Sequence, residues 1–252
     1  DGTTDADLRN RFAAVRRSIA AASVRFRRAA ATTTLHRVRS MPTVAGLVSS
    51  DEMSWLYSQR MARKGSAGRR IYDALLSSPA QGRCPLCAHR AVATLDHHLP
   101  KARYPALAVA PLNLVPSCWE CNRAKLGRSP SRSEDETLHP YFDDIDQDSW
   151  LDAEVMRTSP PSLRFRLSPA LNWSTLLRSR VESHCRQLGI WQLYGSQAAE
   201  ELLNIQDQLS RIHLASGAQA VKTELAARAA SSAAARRNGW RTATYEALSR
   251  DE

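Results

Sequence analysis

Apolar residues recur along residues 5–30 at Leu8, Phe12, Val15, Ile19, Ala22 and Phe26. Steps of four and three put all six on one face of a single helix. Arg9, Arg11, Arg16, Arg17, Arg25, Arg27 and Arg28 flank that stripe. Two readings are open: a helix packed on its own domain with solvated arginines, or a basic arm laid along a phosphate backbone or a partner. Ser50 with Asp51 and Glu52 reads as the start of a second helix, which carries Trp55, Leu56 and Met61. Gly65 separates it from a third, expected over 66–76 before Pro79. The Ser-, Pro- and Asp-rich run 128–148 reads as loop. From Trp150 to Leu167 the pattern predicts two strands around "TSPPS". Beyond Trp173 it is helical: "STLLRSRVESHCRQLGIW", a long run to His213, an Ala-rich run to Arg236, then "GWRTATYEALSR". The expected fold is therefore mainly α, with a short β-hairpin, and there is no internal repeat.

At 252 residues the chain is long enough for one large domain or two small ones with a proper apolar core. No apolar run approaches the ~20 residues that a bilayer span needs. No signal-peptide pattern is visible, though a chain opening at Asp1 rather than Met makes that absence carry little weight; a cytoplasmic location without membrane contact is the expectation. The formal charge of +10 favours an anionic partner, nucleic acid above all. Of the 35 basic residues 31 are Arg, which with the heavy Ala use resembles GC-rich coding, so their distribution carries more than their number. Residues 1–40 hold 9 basic and 3 acidic groups, 81–130 hold 7 and 2, and 131–170 reverse this with 4 and 9. Positive charge gathers on the N-terminal arm and on one internal segment.

That segment holds two Cys-x-x-Cys pairs, Cys84/Cys87 and Cys118/Cys121. A disulfide-stapled secreted protein would be smaller and would not space its cysteines this way. Four thiolates suit tetrahedral Zn²⁺ and leave no open coordination position, so this zinc is expected to be structural and the compartment reducing. The fifth cysteine, Cys185, lies on a predicted helix as a small buried apolar residue.

Closed zinc chemistry does not account for Asp96-His97, for Asn113 in "LNLVPSC" or for Asn122 in "CNRAK". In this order, clamped by two Cys-x-x-Cys turns over residues 84–127, they resemble the HNH, or ββα-metal, endonucleases. The flanking "LHPYFDD" and "NGWRTATYEAL" are similar to stand-alone bacterial HNH proteins, some associated with anti-phage systems. The resemblance implies an inserted ββα unit within the helical fold, with strands near 91–97 and 107–115 and a helix from about Cys118. Three regions are then expected: 1–80 helical with the basic arm, 81–130 the nuclease unit, and 131–252 an acidic loop, hairpin and C-terminal helices.

The implied activity is hydrolysis of DNA phosphodiester bonds, with His97 as general base and Asn113 holding it in orientation. Neutral His suits that role because its ordinary pKa is near ~6.5. Asp96 and Asn122 offer only oxygen, which favours Mg²⁺, or else Mn²⁺. Many members carry a histidine where Asn122 stands, and its absence here points to the harder ion. Strict strand alternation would pair Asp96 with His98, whereas the family pattern makes the residue next to the Asp the base. His98 is then a packed or hydrogen-bonded residue. Lys101, Arg123, Lys125, Arg16 and Arg17 are the expected contacts to nucleic acid. A regulatory ATPase or sensor is an expected protein partner. The rival readings are a nuclease toxin with an immunity partner and a catalytically silent zinc module.

Overall fold

A computed structural model describes residues 6–251. The chain divides into two compact units, 1–143 and 144–252. The expected boundaries near 80 and 130 have no counterpart in this division: the cysteine segment and the run to 143 share a unit with the N-terminal helices.

In the first unit the predicted arm is two helices, α1 (Ala6–Ala14) and α2 (Arg16–Ala31), nearly continuous across Val15. Val15 and Phe26 are fully buried and Ala22 nearly so, which shows the apolar stripe packed on its own unit. Burying a Phe side chain contributes about 1.5–3 kcal/mol. Arg11 also turns inward, with Nη2 2.8 Å from Glu52 Oε1, while Arg16 and Arg17 are exposed. A small ladder of β1 (Thr43–Val44) and β2 (Val48–Ser49) leads into α3 (Ser50–Leu56). Its cap is Ser49, one residue before the expected start. Ser49 Oγ accepts from Glu52 N at 3.2 Å, and Glu52 Oε2 accepts from Ser49 N at 2.8 Å. The helix continues as a π-helical turn over Tyr57–Ala62, and α4 follows at Arg69–Leu76.

Next, β3 (Thr94–His97) pairs antiparallel with β4 (Leu114–Ser117), in a register that sets Asp96 opposite Val115 and His97 opposite Leu114. The second strand begins well after the expected 107, because Pro105 and Pro111 each open a 3-10 turn instead. Helix α5 (Trp119–Lys125) follows directly. The order strand, strand, helix is present, and the hairpin rests on Tyr57 and Met61 through Leu95 and Leu114. The connecting loop packs Leu99, Tyr104 and Leu107 onto Phe26 and Leu35.

The run 131–143 belongs to this unit because hydrogen bonds fasten it there. Glu136 Oε1 accepts from His36 N at 2.9 Å and lies 2.6 Å from His36 Nδ1. His139 Nε2 donates to Leu112 O at 3.0 Å, and the Tyr141 hydroxyl to Leu114 O at 2.9 Å. Burial pushes His139 down to about 4. The unfolded chain, with histidine near ~6.5, therefore binds more protons between those two values, and stability is lost as pH falls through that window. Thermal melts between pH 7 and 4 should show a decline of up to about 1.4 kcal/mol per pH unit from this residue. His139→Asn should flatten the slope; an unchanged slope would remove His139 as its source.

The second unit is built on the hairpin β5 (Leu151–Met156) and β6 (Ser162–Leu167), as the alternation predicted. Its helices are α6 (Thr175–Gln187), α7 (Ile190–Ala235) and α8 (Trp240–Arg250). Helix α7 reverses at Gly217, whose φ of 78° is left-handed and costs glycine little. The reversal brings Ile205 against Leu225 and Ala229, with Tyr245 of α8 closing the core. Cys185 is buried here on α6. Among the described residues no helix is long and apolar enough to cross a membrane.

Candidate functional site

The four paired cysteines converge. Their sulfurs lie within 4.8 Å of one another, all buried, with Cys87 Sγ 4.0 Å from Cys118 Sγ. Tetrahedral thiolates at a Zn–S distance of about 2.3 Å stand about 3.8 Å apart, so an all-sulfur set of this size fits zinc. The first pair sits on a turn in which Ala88 N donates to Cys84 O at 2.7 Å, with Ala88 at φ 54°. The second opens α5, where Cys118 Sγ accepts from Cys121 N at 3.4 Å. A metal held here ties the chain before β3 to the first turn of α5.

His97 is buried at the end of β3, and its Nε2 lies 2.8 Å from the Ala108 carbonyl. A carbonyl only accepts, so Nε2 carries the hydrogen and the lone pair is on Nδ1. Burial pushes the imidazole down to about 3, which keeps it neutral at ordinary pH. Asn113 is fully buried and does not reach that ring. Its Oδ1 accepts from Leu99 N at 2.7 Å, and its Nδ2 donates to Leu99 O at 2.9 Å and Leu107 O at 3.2 Å. It therefore fixes His97 indirectly, by clipping the loop whose Ala108 carbonyl holds the imidazole.

The two histidines part company. His98 gives its peptide N–H to Asn113 O at 2.8 Å, and its ring packs 4.4 Å from that of His139 with Phe26 nearby. The His97 ring instead meets the Tyr57 ring edge-on at 4.5 Å.

Asp96 is also buried, and burial pushes its carboxyl up while Lys125 pulls it back. Here the expectation for Lys125 needs correction. Rather than reaching for phosphate, its Nζ lies 2.9 Å from Asp96 Oδ2 and donates to His97 O at 2.5 Å, with the side chain only 6% exposed. A carboxylate out of water needs a counter-charge, and the last turn of α5 supplies it. Lys125→Met should cost about 3–5 kcal/mol of stability by leaving that charge unpaired. Adding Asp96→Asn should recover much of the loss; denaturant melts that leave both variants at wild-type stability would contradict the pairing.

Asn122 stands half-buried on α5, one turn before Lys125. Lys101 is half-buried with its ammonium 5.4 Å from the Tyr57 ring centroid, on the same side chain that meets His97. Arg123 is exposed on α5. Thus Asp96, His97, Lys101 and Lys125 share one region, with Asn122 one turn before Lys125 on the same helix; Arg16 and Arg17 lie on α2, and Asn113 holds the loop that carries Ala108. Two contributors were not foreseen. Tyr57 lies 40 positions before His97 and belongs to no motif, and its π-helical turn, a feature frequent at functional sites, has no sequence signature of its own. His139 lies in "LHPYFDD", where nothing in the local spacing signals its contact with His98.

No family model matches the chain, and no solved structure matches it. Among curated proteins it is similar to Protein ea31 of Escherichia phage lambda, at 30% identity over 174 residues. That alignment takes in 68% of this chain, which spans 58% of the length of the phage protein.

Proposed function

We propose that this chain is a metal-dependent HNH-type endonuclease that hydrolyses DNA phosphodiester bonds. The observation that carries the reading is how His97 is held: neutral, next to an aspartate, with Nε2–H spent on Ala108 O and Nδ1 left as the basic nitrogen. The strand–strand–helix order around a four-sulfur cluster supports it. In this reading His97 Nδ1 takes the proton from the attacking water. Asn113 and the clipped loop keep the imidazole aimed, and Lys101 meets the phosphate. Asp96 and Asn122, with oxygen donors only, are the residues that would hold Mg²⁺ or Mn²⁺. Bound there, the ion would neutralise charge on the phosphate and the departing 3′-oxygen. Lys125 Nζ lies beside the same carboxylate.

The role is anti-phage defence or restriction, with an ATPase or sensor as regulatory partner. A phage-encoded relative is in keeping with a protein at work during infection. One observation favours the rival silent zinc module: the Lys125 ammonium already satisfies Asp96. The deciding experiment incubates purified protein with supercoiled, linear, single-stranded and RNA substrates, in Mg²⁺ and in EDTA. Nicked or linear DNA in Mg²⁺ and none in EDTA is expected; intact DNA throughout would leave the silent module standing.

A further inference from the structure

The first unit carries a groove that the hydrolytic reading does not use. It has a volume of about 620 Å³ and lies between α2, the segment 34–45 and the turn at Pro105–Leu107. Its floor is apolar, with Ala22, Val44, Tyr104 and Leu107. Arg25, Arg37 and Arg39 line it and are exposed, and none has an acidic partner among the described residues. Among the described residues the Arg37 side chain makes one hydrogen bond, from Nε to His36 Nε2 at 3.3 Å. The same α2 exposes four further arginines, Arg16, Arg17, Arg27 and Arg28, so the basic surface runs on past the groove.

Size, lining and position each restrict the occupant. Cavities of roughly 300–1,000 Å³ hold single small ligands, so a DNA duplex is too wide to enter while an unpaired nucleotide is not. Bases stack on apolar and aromatic side chains, and guanidinium groups pair with phosphate oxygens in a two-pronged fashion. The floor is also continuous with the site. Leu107 O accepts from Asn113 Nδ2 at 3.2 Å, and the next residue, Ala108, holds His97.

We propose that this groove is the subsite for an unpaired nucleotide of the strand being processed, with its base on the floor and its flanking phosphates on Arg25, Arg37 and Arg39. The inference rests on the endonuclease reading and deepens it: the substrate is DNA with a bulge, flap or fork rather than perfect duplex. An acidic protein segment is the other chemistry that an arginine-rimmed apolar groove accommodates. The continuing basic face and the shared loop favour the nucleic acid.

The test uses full-length, zinc-loaded His97→Ala protein, so that binding is read without cleavage. Fluorescence anisotropy compares a fluorescein-labelled duplex with the same duplex carrying a short unpaired bulge. The bulged probe should bind about tenfold tighter, and Arg37→Glu with Arg39→Glu, both on the surface, should bring the ratio close to one. Equal affinity for the two probes overturns the proposal, as does an unchanged ratio in the arginine variant with uniformly weaker binding. A labelled Glu/Leu peptide that binds the parent but not the arginine variant, while the DNA ratio stays near one, also overturns it and assigns the groove to a protein. Wild-type protein that cleaves DNA alongside a ratio of one sinks only the groove assignment. If wild-type protein neither binds nor cleaves any DNA, the endonuclease reading itself fails and the groove assignment fails with it.

Discussion

Replacing His97 with alanine is expected to lower Mg²⁺-dependent plasmid cleavage by about 10²–10⁴-fold, the usual share of a positioned general base. Zinc content should stay close to wild type and the fold should persist, with the melting temperature lowered only by the packing lost against Tyr57 and the hydrogen bond lost to Ala108 O. The reason is geometric: the imidazole makes one side-chain hydrogen bond, to Ala108 O, and its other nitrogen carries the lone pair. His98→Ala is the informative companion. Its ring is buried against His139 and near Phe26, so its loss opens a cavity in the core and costs stability. Below its melting temperature that variant should cut at nearly the wild-type rate. Full activity in His97→Ala, or a silent but stable His98→Ala, would reverse the assignment of the two histidines.

Loss of zinc should be the most damaging change to the fold. Cys118→Ser leaves three sulfurs around a buried cluster and releases the first turn of α5 from the chain before β3. Zinc in such sites is worth about 10–16 kcal/mol in apparent binding energy, comparable with or larger than the ~5–15 kcal/mol that holds a whole domain together. The hairpin and α5 should therefore lose order rather than loosen. Proteolysis should open the region 81–130 in the variant, and metal analysis should find one zinc per chain in the wild type and none in Cys118→Ser. EDTA at a level that strips only the weakly held ion should stop cleavage without this unfolding. A Cys118→Ser protein as protease-resistant as its parent would mean that the cluster has no structural task.

Groups set by short spacing were legible in the sequence. Two residues between cysteines fix a turn that aims both sulfurs to one side, and so the four-cysteine cluster was readable without coordinates. Steps of three and four predicted the buried face of α2, and alternation around "TSPPS" predicted the β5–β6 hairpin. The reversal of α7 at Gly217 was not foreseen, because a glycine in a helical pattern is tolerated in a straight helix as readily as it turns one. Nor was the fate of Lys125. As one charge on a short helix it reads as a phosphate contact, and only the burial of Asp96 beside it turns it into a counter-ion.

The sequence by itself determined which atoms are available: four thiolates, two adjacent histidines, an aspartate and two asparagines, in an order that local turns can bring together. Tertiary structure alone decided what each one does. It tied His97 to Ala108 and laid it against Tyr57, put His98 into the core with His139, and set Asn113 to clip the loop rather than the imidazole. The physical reason is that spacing along a chain encodes contacts within a turn or a hairpin. Burial and charge pairing are settled by segments far apart in sequence, as when residue 57 meets 97, 98 meets 139 and 125 meets 96.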